Sequence, residues 1–168
     1  IEQKLERRMT KGDYQVQVHV IECRDLKAED LNGLSDPYCR VRVMGRTKKT
    51  GVKKKCTSCV FDEVLYFNFA DVAPSRIAEA AVEVSIIDWD LFGAHDMIGT
   101  CAFTCGAVHS EPGHELYRKW TGLVDNENAD DNGYQGFVKL SVTVLGPGDE
   151  QVAHDVDREY QEELEKEM

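Results

Sequence analysis

Apolar side chains recur at every second position in five stretches of this chain. Tyr14, Val16, Val18 and Val20 alternate with Gln15, Gln17 and His19, and Cys39, Val41 and Val43 alternate with Arg40 and Arg42. Leu65, Phe67 and Phe69 alternate with Tyr66 and Asn68, and Val82, Val84 and Ile86 with Glu83 and Ser85. Val138, Leu140, Val142 and Val144 alternate with Lys139, Ser141 and Thr143. A period of two buries one set and wets the other, which is the pattern of a strand with one face in water. Further strands are expected near 47–54, 97–105 and 115–121. Asn32-Gly33, Gly45, Gly93, Pro112-Gly113 and Asn132-Gly133 supply the turns between them. Strands in that number, with no regular helices between them, predict an all-β, eight-stranded antiparallel sandwich.

The sandwich is expected over 12–148, preceded by a charged extension at 1–11 and followed by an acidic tail at 149–168. Past Gly146-Pro147-Gly148 the period changes, and Val152, Val156, Tyr160 and Leu164 recur every fourth residue among acids. That spacing predicts a solvent-facing helix with a narrow apolar stripe, leading toward a further domain. Residues 106–114 and 122–135 read as longer loops. The start, IEQKLERR, is polar and lacks a Met, so the chain reads as a segment of a larger protein. No run approaches the roughly 20 apolar residues a membrane helix needs.

Acids outnumber bases 31 to 20, for a formal charge of −11. This argues against a nucleic-acid binder that works through bulk positive charge. It also weighs against an anionic membrane until the charges are located. Residues 40–55 hold eight bases and no acid, whereas 149–168 hold nine acids and two bases, and four more acids fall within 125–131. The net number therefore averages opposite local fields. Of the six cysteines, Cys56 and Cys59 have the spacing of half a zinc site, with Cys101 and Cys105 as the candidate other half. The stronger expectation makes Cys101 and Cys105 small core residues in phase with Phe103, and Cys56 and Cys59 loop thiols.

Two loops concentrate carboxylates. One, Glu29 to Tyr38, joins the first and second strands and carries Asp30 and Asp36; the other, Asp88 to Asp96, joins the fifth and sixth and carries Asp88, Asp90 and Asp96. If strands alternate up and down, both loops emerge at one end of the sandwich. Five carboxylates in one cleft would repel strongly without an offsetting cation. Calcium suits them best, since it takes six to eight oxygen ligands in loose geometry; magnesium wants a tighter octahedron and zinc wants nitrogen or sulfur. An EF-hand is excluded, because glycine comes at the fourth position after Asp30 and no Glu stands at the twelfth. Apolar residues flank the acids: Leu31 and Leu34 in the first loop, Leu91 and Phe92 in the second. Clustered apolar loop tips need a partner, and a bilayer would supply one. Arg40, Arg42, Lys48, Lys49, Lys53 and Lys55 are candidates for holding anionic lipid or a phosphoinositide headgroup. His95 is expected to be a loop surface residue, and no phosphate-cradling glycine loop or nucleophile–base motif suggests an enzyme.

Ser35-Asp36-Pro37-Tyr38 with Asp30 before it, and Asp88-x-Asp90 through Asp96-x-Ile98-Gly99, resemble the two calcium loops of a C2 domain. Phe61-Asp62-Glu63 resembles that family's fourth strand. The resemblance covers about 14–146. It implies two or three calcium ions on the five Asp side chains, with the backbone carbonyls of Glu29 and Trp89 completing the shell. It also implies docking on phospholipid through the loop tips, or alternatively a calcium-stabilised protein-interaction scaffold that binds no lipid. Glu111-Pro112-Gly113-His114, Lys119-Trp120, and Gly136 to Leu140 running on to Glu150 resemble the second C2 domain of ferlins, tail-anchored proteins of vesicle fusion and membrane repair. Many animal ferlins lack several of these aspartates in the corresponding domain, whereas all five are kept here. The implied setting is the cytoplasmic face of a vesicle or plasma membrane, beside other domains of a parent protein, and the implied strand order is the permuted (type II) one.

Overall fold

The alternating stretches form the strands, and the bulges between them decide which side chains face inward. A computed structural model describes residues 9–27, 35–93, 95–125 and 133–167. In chain order the elements are β1 (Gly12–Arg24), β2 (Pro37–Val43), β3 (Arg46–Lys49), β4 (Cys59–Val72), α1 (Pro74–Glu79), β5 (Ala81–Asp88) and β6 (Asp96–Thr104). Then follow α2 (Cys105–Ser110), a 3-10 turn (Pro112–His114), β7 (Glu115–Gly122), β8 (Phe137–Leu145) and α3 (Val156–Glu167). The strands make two antiparallel sheets ordered β4-β1-β8-β7 and β3-β2-β5-β6, in the permuted arrangement expected. β1 is flanked by β4 and β8, so the first and last strands are hydrogen-bonded neighbours.

The core between the sheets is built from the alternating residues: Val16, Val18 and Val20 of β1, Val41 and Val43 of β2, Val82, Val84 and Ile86 of β5, and Leu140, Val142 and Val144 of β8 are fully buried. The register of β1 shifts between Val20 and Glu22 against both neighbours. This bulge flips the parity and turns Cys23 inward, where it is buried, rather than Glu22.

The stretch 106–114, expected as a loop, is instead α2 and a 3-10 turn. Three local features explain it. Thr104 caps the helix, its hydroxyl accepting from the Ala107 N–H at 3.4 Å. Val108 is buried. Gly106 lets the helix lie against the Ala78 backbone of α1, since a Cβ there would come within 2.6 Å of the Ala78 carbonyl oxygen. Cys105 is buried as expected, but as the first residue of α2 rather than as a strand residue. Cys101 does face inward with Phe103, both of them partly buried against the core.

The predicted tail helix forms as α3 and buries none of its side chains. The residues before it are not free of the sandwich: Asp149 accepts from the Gly146 N–H at 2.8 Å, and Gln151 bonds Gln17 of β1 at 2.8 Å. His154 stacks on Tyr117 of β7 with centroids 3.6 Å apart and contacts Glu115, while the Tyr117 hydroxyl donates to Glu159 at 2.6 Å. Most of the charged extension, residues 1–8, lies outside the described residues.

Candidate metal centre

Four connections meet at one end of the sandwich, those between β1 and β2, β3 and β4, β5 and β6, and β7 and β8. Backbone hydrogen bonds tie them together. The Cys56 N–H donates to Ser35 O and the Trp89 N–H to Asp36 O, both at 2.9 Å. The Leu26 N–H donates to Thr57 O and the Lys27 N–H to Gln135 O, also at 2.9 Å. Residues 123–125 and 133–136 therefore belong to the same end as the aspartate loops.

Asp36, Asp88, Asp90 and Asp96 all stand at this end, and Asp30 lies outside the described residues, as do Glu29, Leu31 and Leu34. Pro37 pairs with Asp88 across β2 and β5, and Asp88 with Asp96 across β5 and β6, so strand register sets these side chains side by side. Backbone donors then orient them. Asp88 Oδ1 accepts the Asp36 N–H at 2.9 Å, and Asp36 Oδ1 accepts the Lys55 N–H at 2.7 Å. Asp90 Oδ1 accepts the Phe92 N–H at 2.8 Å, the Asx turn that shapes the loop tip. The donors are all carboxylate oxygens, the chemistry of a hard, oxygen-loving cation, and they fit calcium. Asp88 is 8% exposed, whereas Asp36 and Asp90 are half-buried and Asp96 is exposed, so the carboxylates line an end open to a cation from solvent. Among the described residues, the buried Ser35 hydroxyl beside them has no hydrogen-bond partner. Trp89 follows Asp88 directly and packs its ring 6.2 Å from that of His95, whose Nδ1 lies 3.1 Å from the Tyr38 hydroxyl.

At the tip of the second loop Leu91 is 74% and Phe92 91% exposed. The basic candidates separate into three places. Arg40 and Arg42 lie on the outer face of the β3-β2-β5-β6 sheet with Lys49, whose ammonium sits 5.9 Å over the Tyr38 ring. A shallow cavity of about 380 Å³ beside them is lined by Arg40, Glu83, Ser85 and Thr100. Lys48 pairs with Val41 and so falls on the opposite face, its ammonium 5.8 Å over the core ring of Phe67. Lys53 and Lys55 belong to the β3–β4 connection at the aspartate end. Their backbone N–H groups bond Pro37 O and Asp36 Oδ1.

The two cysteine pairs weighed as a zinc site do not converge. Cys59 Sγ lies 3.2 Å from Cys23 Sγ across β1 and β4, and all six cysteines are free thiols. Among the described residues, the trio of candidate ligand atoms mutually within 4.8 Å is His109, His114 and Asp149, which the sequence pattern did not point to.

An eight-stranded sandwich with aspartates gathered at one end defines a class, and residues 14–123 match the family model described as C2 domain. The chain belongs to the C2 domain family. It is 31% identical over 170 residues to myoferlin of Mus musculus, covering 94% of this chain and 8% of that protein. It is 27% identical over 148 residues to Ferlin 2 of Tetrahymena thermophila, covering 87% of this chain and 8% of that one. The expected resemblance to ferlins is thus borne out, although the chain spans less than a tenth of these relatives. Among solved structures, the calcium-bound tandem C2 domains of Extended-Synaptotagmin 2 superpose with a TM-score of 0.62 at 25% identity, covering 82% of this chain and 47% of that one.

Proposed function

We propose that this C2 domain is a non-catalytic module that docks on anionic phospholipid when calcium occupies the aspartate end. One observation carries the reading: four carboxylates, three of them oriented by backbone N–H groups, share the end at which Leu91 and Phe92 project into solvent. With Asp30 the cleft carries five negative charges; two calcium ions would bring it to about −1 and three to about +1. Repulsion of an anionic leaflet would then be relieved locally, leaving two apolar tips worth about 1.5–3 kcal/mol each on burial. Carbonyl oxygens of Glu29 and Trp89 would complete the coordination. The outer-face bases Arg40, Arg42 and Lys49 would add contacts to lipid phosphates, including phosphoinositides. The relationship to ferlins supports a place in a larger membrane-fusion protein, with this domain facing a vesicle or plasma membrane from the cytoplasm. Among the described residues no helix is long and apolar enough to cross a membrane.

Sedimentation with phosphatidylserine-containing liposomes tests this directly. The expected result is co-sedimentation with calcium and release by chelator; equal binding in both conditions overturns the calcium switch.

A further inference from the structure

At the end of the sandwich remote from the aspartate loops, a second set of ligand atoms converges from three separate segments. His109 comes from the last turn of α2, His114 closes the 3-10 turn, and Asp149 follows β8. His109 Nε2 is 2.7 Å from Asp149 Oδ2, and His114 Nε2 is 3.3 Å from Asp149 Oδ1. The His109 side chain is 8% exposed, Asp149 19% and His114 31%.

Each of these groups is fixed by a further contact. His114 Nδ1 lies 2.6 Å from the carbonyl oxygen of His109. A carbonyl can only accept, so Nδ1 carries the proton, as it does in histidines that bind metal through Nε2. In the neutral ring Nε2 then carries the lone pair, and it faces Asp149 Oδ1 at 3.3 Å, so both atoms are aimed at one position a cation could share. Asp149 Oδ2 accepts the Gly146 N–H at 2.8 Å, which fixes the carboxylate. His114 stands at φ 58 directly after Gly113 at φ 69. Non-glycine residues visit this left-handed region rarely, and where they do the surroundings impose it. Here the turn folds the His114 ring back onto that of His109, with centroids 4.0 Å apart.

We propose that His109 Nε2, His114 Nε2 and Asp149 bind a divalent transition ion of the zinc class, which staples the segment after the last strand to the sandwich. Two imidazoles and one carboxylate suit zinc, which favours nitrogen donors, whereas calcium favours oxygen alone. Three protein ligands leave a fourth position for water. The site shares no residue with the aspartate loops and stands apart from the proposed calcium switch.

The test is titration of the chelator-treated 168-residue chain with Co²⁺ and Zn²⁺, followed by cobalt visible absorption and thermal unfolding. One equivalent of Co²⁺ should give tetrahedral d–d bands that Zn²⁺ abolishes, and Zn²⁺ should raise the unfolding midpoint. His114→Gln and Asp149→Asn should each weaken binding at least about tenfold, while Asp88→Asn/Asp90→Asn and His154→Gln leave it unchanged. His114 is partly exposed, so its variant should fold, and circular dichroism checks that it does. The proposal is overturned by a folded chain that gives no stoichiometric cobalt signal. A signal that persists in both His114→Gln and Asp149→Asn overturns it equally, and leaves the trio as an ion-paired clasp.

Discussion

Asp88 takes the Asp36 N–H while almost buried, and Asp36 in turn takes the Lys55 N–H. These two carboxylates therefore shape the loop end as well as charge it. Asparagine keeps an amide oxygen for the Asp36 N–H but gives up the charge. The Asp88→Asn/Asp90→Asn chain should accordingly lose calcium binding in a calorimetric titration while its calcium-free unfolding midpoint stays level or rises, since like-charge repulsion falls. Unchanged calcium binding would sink the metal assignment. Leu91→Asp/Phe92→Asp should do the converse, leaving the calcium titration in solution intact and removing liposome binding. The shared end of Asp36, Asp88, Asp90 and Asp96 was legible because turn-forming loops of known strand parity fix where they emerge. The position of Lys48 was not: strand parity counted along β2 says nothing of the hairpin register that sets Lys48 beside Val41 and over Phe67. His109, His114 and Asp149 were illegible for a similar reason, since 40 residues separate His109 from Asp149 and no single element's periodicity links them.

At the scale of elements, α2 escaped the reading because six residues, Cys-Gly-Ala-Val-His-Ser, are too few to show a helical period. Its place depends on Gly106 lying against the Ala78 backbone of α1. Gly106→Ala should therefore destabilise the fold by about 1–3 kcal/mol by overpacking, read from denaturant unfolding, despite alanine's better helix propensity. The root of α3 is held differently, by His154 between Glu115, Glu159 and the Tyr117 ring. Burial works against the charged imidazole, but hydrogen bonds to Glu115 and Glu159 outweigh it and raise the His154 value above the usual 6.5. A group whose folded value is raised contributes stability that is fully present below its unfolded value and is lost as pH rises through the folded one. Amide exchange at the start of α3 should accordingly quicken as pH climbs past that point, after correction for intrinsic exchange. A rate independent of pH would show that Tyr117 packing alone holds the helix.

Considered whole, the molecule gathers its charges into patches: carboxylates at one end with Lys53 and Lys55 beside them, Arg40, Arg42 and Lys49 along one sheet face, and acids again on α3. Binding to phosphoinositide vesicles should weaken by about 1 kcal/mol for each of Arg40→Gln, Arg42→Gln and Lys49→Gln, and less so at high salt. Lys48→Gln should leave binding unchanged and should register in stability instead, through loss of its cation–π contact with Phe67. The sandwich was legible because period two is a global signal, whereas its permuted strand order was implied only by the resemblance to C2 domains. The joining of its two ends was not legible, because it arises from pairing across the length of the chain. Gln15 lies opposite Leu145 in the β1–β8 ladder, and Gly12 sits so close to Pro147 that a Cβ on it would come within 2.5 Å of the proline ring. Entry to and exit from the fold are thus side by side, facing away from the aspartate loops. Tension between residues 12 and 146 would open the β1–β8 seam one hydrogen bond after another, starting at Gln15, instead of straining the whole ladder together. Strung within a longer chain, such a domain is a weak mechanical link that yields from its attachment points first and its aspartate loops last.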